Sequence, residues 1–142
     1  MSKMTAHSKE VAAVMLFRQD GALLMQHRDD KPGLPYADQW SIPSGLKEAF
    51  ETPEECARRE LAEETGYQCA RLEPLVVMED RDDTQADYLL TIFSARYDGK
   101  QILKCLEGQA LEFIARDKAV SYRMPPFILN VWDRVLKGFP RG

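Results

Sequence analysis

Apolar residues near the start of the chain occur in two short runs that are typical of β-strands. The runs lie in residues 11–28 and flank Asp20 and Gly21, a pair that favours the tight turn of a β-hairpin. Residues 29–39 are polar and contain two prolines and a glycine, which predicts a loop. Residues 40–43 are then expected to form a short strand, so the first third of the chain is predicted to be mainly β structure.

The next predicted element is a helix with clear signals at both ends. Thr52 can cap its first turn, Pro53 suits the first helical position, and Glu55 completes a capping box. Gly66 is a typical C-terminal stop. A central helix is therefore expected between these positions.

Strands and one more helix are expected after the central helix. Apolar segments bounded by turn residues predict strands at residues 72–78, 88–97 and 111–115. The acidic residues 79–84 are expected to form a solvated loop. Residues 127–139 follow two prolines and place apolar side chains at helical spacing, which predicts a terminal helix. This element order indicates one mixed α/β (α+β) domain.

The composition places the chain among globular proteins of one domain. It has 142 residues, of which 44% are hydrophobic and 30% charged, and no apolar run that could span a bilayer. Residues 1–8 are polar and lack a signal-peptide pattern, so we expect a flexible tail, a domain over residues 9–142 and a cytoplasmic location. The net charge of −4 comes without a basic cluster, which argues against nucleic-acid and membrane partners. The sequence does not define an oligomeric state.

Negative charge is concentrated in residues 45–67. This segment holds seven glutamates, one lysine and two arginines, a balance of −4 that equals the formal net charge of the whole chain. Glu54 and Glu55 lie four residues before Arg58 and Arg59, which is the spacing of ordinary ion pairs on a helix surface. Those two glutamates need no further role.

Three other glutamates of this segment lack such partners. Glu60, Glu63 and Glu64 have no basic residue four positions later, and they fall within an arc of about 100° on the helix. They also lie near the C-terminal end, where the helix dipole disfavours anions. Carboxylates without histidine or cysteine favour Mg²⁺ or Mn²⁺, and Mg²⁺ also binds phosphate groups. We therefore expect surface carboxylates that bind a cation and, through it, an anionic ligand.

The spacing of these residues resembles that of a known family. Gly45, Glu51 after five further residues, and the stretch RELAEETGY in residues 59–67 after seven more resemble the Nudix box, G-x5-E-x7-R-E-U-x-E-E-x-G-U with U apolar. Tyr67 stands where an aliphatic residue is usual. The resemblance implies a mixed β-sheet between α-helices. It also implies Mg²⁺-dependent hydrolysis of a nucleoside diphosphate linked to a further group.

The resemblance also assigns metal ligands. Glu60 and Glu64 would bind the metal directly, and Glu63 would be a ligand or a residue that orients one. The carbonyl of Gly45 would supply another oxygen. The number of metal ions stays open.

Other catalytic roles come from the same resemblance. Arg59 would pair with Glu51 and so join the loop to the helix. Glu107 begins an EGQ stretch that resembles one in the mutator-type (MutT) nucleotide pyrophosphohydrolases, whose glutamate approaches the metal cluster. A carboxylate would remove a proton from the attacking water. Either Glu107 or a helix glutamate could do so.

Substrate contacts are indicated by the similarity to the mutator-type enzymes. Arg28 falls near a substrate-side arginine of those enzymes. Apart from this similarity, Trp40 is expected to be a core aromatic, although it lies close enough to the box to stack on a base. Two departures affect specificity: Ser44 replaces a glycine beside Gly45, and Ile128 stands where those enzymes read 8-oxoguanine with an asparagine. We therefore expect a nucleoside triphosphate or deoxynucleoside triphosphate rather than an oxidised guanine nucleotide.

Three alternatives remain at this stage. Within the enzyme class, the substrate could be ADP-ribose, a nucleotide sugar or a dinucleotide. A nucleotide-binding sensor on the same fold would keep the pocket without turnover. A non-catalytic interaction domain would make the glutamate cluster accidental and its stability indifferent to Mg²⁺.

Overall fold

Two strands at the start of the structure form the predicted β-hairpin. The computed structural model describes residues 9–138, so the predicted tail at residues 1–8 lies outside the described residues. β1 (Glu10–Phe17) pairs antiparallel with β2 (Leu23–His27). At the turn, Gly21 has a φ of 88° and the Ala22 N–H donates to Asp20 Oδ1 at 3.1 Å. The predicted hairpin and its turn are confirmed.

Within residues 9–138, seven strands form one mixed sheet. The later strands are β3 (Trp40–Ser41), β4 (Ser44–Leu46), β5 (Glu73–Arg81), β6 (Asp87–Arg96) and β7 (Ala110–Ile114). The strand order is β3-β2-β1-β6-β5, while β4 pairs with β1 and β7 pairs with β2. β1 and β6 are parallel, and the other pairs are antiparallel.

The strand predicted at residues 40–43 ends after Ser41, and a separate strand begins at Ser44. β3 pairs with β2, whereas β4 pairs with β1. Pro43 lies between them and has no N–H, but its carbonyl accepts the Val14 N–H at 3.0 Å. The chain therefore changes its pairing partner at this residue, and β4, which contains Gly45, was not predicted.

The central helix, α1 (Pro53–Thr65), begins and ends at the predicted residues. Thr52 Oγ1 accepts the Glu55 N–H at 3.1 Å, and the Glu55 carboxylate accepts the Thr52 N–H at 2.8 Å. Gly66 has a φ of 79° and donates its N–H to the Ala62 carbonyl at 2.9 Å. This capping fixes where α1 starts, and with it the direction of each glutamate side chain.

The sheet lies between two helices, as expected. The terminal helix, α2 (Pro126–Leu136), is confirmed, and an unpredicted 3-10 helix (Arg116–Ser121) precedes it. No helix among residues 9–138 is both long and apolar enough to cross a membrane. Each helix packs its buried side chains on one face of the sheet: Cys56, Ala57 and Leu61 from α1, and Ile128, Val131 and Trp132 from α2.

Candidate active site

Arg59 joins the loop before α1 to the helix itself. Its Nε donates to Glu51 Oε2 at 2.6 Å and its Nη2 donates to Glu51 Oε1 at 2.8 Å, a two-bond ion pair. The guanidinium, and after it the Glu48 N–H, lowers the pKa of Glu51 to about 2. Glu51 is therefore ionised at neutral pH and holds the arginine side chain in one orientation.

The same guanidinium contacts two of the clustered glutamates. Arg59 Nη1 donates to Glu60 Oε2 at 2.8 Å and lies 3.3 Å from both carboxylate oxygens of Glu63. The expectation that these carboxylates lack a basic partner was wrong, because Arg59 lies directly before Glu60 and four residues before Glu63 and contacts both. The expected pair between Glu55 and Arg59 is also absent, since the Glu55 carboxylate caps the N–H of Thr52.

Gly45 leaves room for the Glu60 carboxylate. A Cβ placed on Gly45 would lie 2.0 Å from Glu60 Cδ, so no side chain larger than hydrogen fits while Glu60 keeps its position. Gly45 lies in β4 opposite Ala12 of β1. The absence of a side chain therefore brings a helix carboxylate against the backbone of the sheet.

Glu64 is buried rather than on the surface, which corrects the expectation of a surface carboxylate. The residue is 1% exposed, and its Oε2 has no hydrogen-bond partner among the described residues. Its Oε1 accepts the amide Nε2 of Gln26 at 3.1 Å. Burial, followed by a hydrogen-bonding interaction with the Glu60 carboxyl group and the negative charge of Glu107, raises the pKa of Glu64 to about 10. A buried carboxyl with a free oxygen needs either a proton or a cation.

A loop before β7 brings Glu107 to the same end of α1. Gln26 Nε2 also lies 3.3 Å from the Glu107 carbonyl, and the Leu106 N–H donates to the Glu64 carbonyl at 3.0 Å. Gly108 has a φ of 83° and a Cβ there would lie 2.6 Å from the His27 carbonyl, so this turn requires glycine. Partial burial and the charge of Glu60 raise the pKa of Glu107.

Gln26 is a site residue that the sequence analysis missed. It lies in β2 on the face that packs against α1, and it is 2% exposed. A glutamine that directly follows the apolar residues of β2 was the available signal, because a buried amide requires a partner. The structure shows that this partner is Glu64.

The oxygen atoms around Gly45 fit a hard divalent cation. Glu64 contributes an unpartnered carboxylate oxygen, Glu60 lies against the Gly45 backbone, and the donors are all oxygen atoms. Within residues 9–138 no three acidic, histidine or cysteine side chains already surround one metal position. Arg59 supplies the positive charge beside Glu60 and Glu63 instead, so a cation there must compete with its Nη1.

A pocket of about 270 Å³ lies beside β4, on the side away from the α1 glutamates. Arg28, Ser44 and Gly45 contribute to one part of its wall, and Val11 and Phe127 contribute apolar surface. Arg28 Nε donates to the Pro35 carbonyl at 2.8 Å. The pocket therefore adjoins the glutamate cluster at Gly45.

Trp40 does not line this pocket. Its ring stacks on His27 with a centroid distance of 4.9 Å, and it meets Tyr122 edge-on at 5.2 Å. The expected stacking of Trp40 on a base is therefore not supported, because these contacts direct the ring toward its neighbours at the sheet edge.

Comparison with known proteins identifies the family. The model of the NUDIX domain matches residues 7–133. The chain belongs to the Nudix family. The match includes β1, the whole box and most of α2, so the glutamate cluster and the pocket are both parts of the Nudix domain.

Several known proteins are similar to this Nudix chain. An RNA pyrophosphohydrolase from Gluconobacter oxydans (strain 621H) is 39% identical over 69 residues, which cover 49% of this chain and 38% of that protein. A putative 8-oxo-dGTP diphosphatase 3 from Mycobacterium tuberculosis (strain CDC 1551 / Oshkosh) is 28% identical over 128 residues, which cover 83% of this chain and 56% of that protein. The chain thus spans less than two thirds of the length of either curated relative.

A solved structure shows the same fold. The MutT protein from Methanosarcina mazei Go1 superposes with a TM-score of 0.78 at 15% identity, with 98% of this chain and 100% of that chain covered. At this level of identity the similarity concerns the fold.

Two departures from the mutator-type pattern have clear structural positions. Ser44 is an ordinary strand residue of β4, paired with Ala13, and it lines the pocket. All three residues at this position lie on α2: Ile128 is fully buried in the core, whereas Phe127 reaches the pocket and Asn130 is exposed. An amide at the start of α2 therefore does not line the pocket in this Nudix domain.

The loop at residues 29–39 is attached to the turn between β5 and β6. The Tyr36 N–H donates to Asp83 Oδ1 at 2.8 Å, and the Tyr36 hydroxyl lies 3.4 Å from Asp80 Oδ2. Asp82, in the same turn, has a side chain that is only 2% exposed. The expectation of a solvated acidic loop is therefore wrong for residues 79–81, which belong to β5, and for Asp82, which is buried, whereas Asp83 and Thr84 are exposed.

Replacing Gln26 with leucine is expected to weaken divalent-cation binding about 10- to 100-fold, the usual effect of removing a hydrogen bond to a metal ligand. The side chain is similar in size, but Glu64 Oε1 loses its amide donor. Calorimetric titration with Mn²⁺ would measure the change. A Gln109→Leu variant is a control, since that amide contacts Asp38 and the Arg28 carbonyl instead. Equal affinity in the Gln26 variant and the parent would show that Gln26 does not position Glu64.

Proposed function

We propose that this Nudix domain hydrolyses the diphosphate linkage of a nucleotide, converting a nucleoside triphosphate or deoxynucleoside triphosphate to the monophosphate and pyrophosphate with Mg²⁺ or Mn²⁺. The main support for the proposal is the Oε2 atom of buried Glu64, which has no hydrogen-bond partner among the described residues and belongs to the same cluster as Glu60 and Gly45. Such a carboxyl keeps a proton at neutral pH in the metal-free protein, and a bound cation would take the place of that proton.

The residues of the chain have distinct proposed roles. Glu60, Glu64 and the Gly45 carbonyl would hold the cation, and Glu63 would bind it or orient a ligand. When bound, the cation would neutralise phosphate charge and lower the pKa of a water molecule. Arg59 holds the loop through Glu51 and balances charge on the helix face.

Two further roles concern the substrate. Arg28 lies in the pocket wall near Gly45 and would contact the phosphates, because its guanidinium is a donor that suits phosphate oxygens. Glu107 is exposed at the end of α1 and has a raised pKa, so its carboxylate is the accessible candidate for accepting a proton from the attacking water. Glu64 is too buried to exchange a proton with solvent directly.

The named relatives support a nucleotide substrate. A diphosphatase for an oxidised deoxynucleoside triphosphate and an RNA pyrophosphohydrolase both act on phosphoanhydride bonds, as their names state. Buried Ile128 argues against an asparagine-type contact to 8-oxoguanine. A cytoplasmic location, one domain over residues 9–142 and the absence of nucleic-acid or membrane partners stay predictions.

The second candidate is a nucleotide-binding sensor. It is favoured by the ion pairs of Arg59 with Glu60 and Glu63, which occupy two of the proposed ligands. A sensor would bind nucleotides in the pocket without turning them over.

Product analysis distinguishes these functions. We would measure phosphate and pyrophosphate release from ribonucleoside and deoxynucleoside triphosphates, 8-oxo-dGTP, ADP-ribose, nucleotide sugars and dinucleotides, with Mg²⁺ or with a chelator. Pyrophosphate and a monophosphate from triphosphates, lost on chelation, are expected. Release from ADP-ribose or dinucleotides alone would replace the substrate class, and nucleotide binding without any release would support the sensor.

A further inference from the structure

A lysine and an aspartate lie at the end of the pocket away from the glutamate cluster. Lys9 directly precedes β1 and lies two and four residues before Val11 and Ala13. Because alternate side chains of a strand lie on the same face, the three side chains share one face, and all three line the pocket. Gly45 lies opposite Ala12, three residues beyond Lys9, which is about 10 Å of strand. A nucleotide whose phosphates lie at Gly45 would therefore direct its base toward Lys9.

The Lys9 ammonium is held in position by its neighbours. Nζ lies 2.9 Å from Asp82 Oδ2 and 5.8 Å from the centroid of the Tyr88 ring. The Lys9 carbonyl accepts the Leu89 N–H at 3.0 Å, which extends the pairing of β1 with β6. The side chain is 26% exposed, so the ammonium is ordered but accessible from the pocket.

Asp82 already has its own partners. Its Oδ1 accepts the Thr84 N–H at 2.8 Å, the Thr84 hydroxyl and the Ala86 N–H at 3.2 Å, while Oδ2 accepts from Lys9. An ammonium has three donors and no acceptor. Within residues 9–138, Asp82 is the side-chain acceptor of Lys9, so two donors remain for a ligand.

We propose that Lys9 recognises the carbonyl edge of the base and makes this Nudix domain prefer keto bases, that is guanine, hypoxanthine, uracil and thymine, over adenine and cytosine. Guanine presents O6 and N7, two acceptors that a lysine can contact together. Adenine presents an amino group in place of O6, and cytosine presents one in place of the O4 of uracil. These amino groups would face an ammonium that cannot accept a hydrogen bond.

The remaining wall is compatible with this arrangement. Val11, Leu90 and Phe127 provide apolar surface for the faces of a planar ring, and they carry no polar group that would favour an amino base. Asp82 could accept from an amino group, but its side chain is 2% exposed and its oxygens are engaged. Tyr36 and Tyr88 also line the pocket, and their hydroxyls are directed to Asp80 Oδ2 at 3.4 and 2.9 Å. The accessible charged group at this end of the pocket is therefore a donor.

The inference rests on the proposed function only because it places a nucleotide in this pocket. Two measurements distinguish a failure of the base preference from a failure of the hydrolase proposal. The first compares kcat/KM for GTP, ITP and ATP, and for UTP and CTP, with Mg²⁺. The keto nucleotides are expected to be favoured by about 10- to 100-fold, with ITP close to GTP. The second compares equilibrium binding of GMP and AMP, and of UMP and CMP, without turnover.

Variants of Lys9 test the assignment. Lys9→Met is expected to remove the keto preference, chiefly by lowering kcat/KM for the keto nucleotides, whereas Lys9→Arg keeps donors in place and preserves the preference. Lys118→Met, an exposed lysine of the 3-10 helix, is the matched control. Thermal unfolding of each variant shows whether the domain stays folded when Asp82 loses its ion-pair partner. If Lys9→Met does not fold, Lys9→Arg still provides a test.

The kinetic and binding measurements together decide whether Lys9 sets a base preference. A keto preference that is lost in Lys9→Met, or inverted toward amino bases in it, supports the inference. Equal use of keto and amino nucleotides by the parent, or an unchanged preference in Lys9→Met, overturns it. If no nucleotide is hydrolysed but GMP binds more tightly than AMP, the hydrolase proposal fails and the base assignment stands. If no nucleotide is hydrolysed and no monophosphate binds, the base assignment fails as well.

Discussion

Glu64→Gln is expected to abolish nucleotide hydrolysis without weakening the fold. The substitution keeps the shape of a side chain that is 1% exposed but removes the negative charge that the free Oε2 would offer to a cation. Loss of such electrostatic stabilisation lowers turnover by about 100- to 1,000-fold or more. Near pH 4.5 and below, where the carboxyl keeps its proton in both the folded and the unfolded state, the free energy of unfolding without metal should change by less than about 1.5 kcal/mol, because the two side chains are nearly isosteric.

The pH dependence of stability provides a second readout for the same variant. In the metal-free protein the pKa of Glu64 is raised to about 10 from an ordinary value of 4.5, so the folded state keeps a proton that the unfolded state releases. The stability contributed by this group is therefore present below pH 4.5 and is lost as the pH rises toward 10. Urea unfolding in chelator from pH 5 to 9 should show a decline in the parent that Glu64→Gln reduces.

A glutamate on the same helix provides the control. Glu54 pairs with Arg58 at 2.7 Å on an exposed face away from Gly45, so Glu54→Gln should retain turnover and the pH dependence of the parent. Near-parent hydrolysis by Glu64→Gln would show that the cation is held elsewhere. Failure of Glu64→Gln to fold would show that the carboxyl has a structural role in the domain.

Gly45→Ala is expected to lower turnover by at least about 100-fold while leaving the protein folded. The new Cβ would lie 2.0 Å from Glu60 Cδ, so the Glu60 carboxylate must move. Its side chain is flexible and partly exposed, and this movement costs little stability. The variant therefore changes the position of one proposed ligand without removing any carboxylate.

Kinetics and thermal unfolding together test the glycine prediction. A lower kcat with an unchanged melting temperature is the expected combination, and a higher concentration of Mg²⁺ should restore part of the activity. Gly138→Ala is the matched control, since a Cβ there meets only the Val135 carbonyl at 3.6 Å. Activity close to the parent in Gly45→Ala would mean that Glu60 does not need its position against β4.

The boundaries of α1 and the glutamate cluster could be predicted because their signals are local. The capping box at Thr52 and the stop at Gly66 depend on neighbours within a few residues, and both occur where expected. The same is true of the turn at Asp20 and Gly21. Local sequence therefore defined the helix on which the proposed metal ligands lie.

The partners of those ligands could not be predicted because they come from distant parts of the chain. Gln26 is 38 residues from Glu64, and Lys9 is 73 residues from Asp82. Helix spacing alone placed Glu64 on the surface, whereas the loop containing Glu107 and strand β2 cover it. Burial of a polar side chain depends on tertiary packing, which residue spacing along one element does not contain.

The break between β3 and β4 at Pro43 has a functional consequence. It lets β4 pair with β1, and Gly45 in this strand lies between the helix carboxylates and the pocket. A continuous strand over residues 40–43 would have kept the chain on β2. The cation site and the base pocket are therefore proposed to meet at one short strand that the apolar pattern did not indicate.

Calorimetric titration of the metal-free protein with Mn²⁺, followed by Mg²⁺, without nucleotide tests the proposed cation site most directly. We expect saturable binding to the parent, with release of a proton as the metal replaces it on Glu64, and at least about tenfold weaker binding to Glu64→Gln. Binding of equal strength to both proteins, or no binding to the folded parent, would contradict a cation site formed by Glu60, Glu64 and the Gly45 carbonyl.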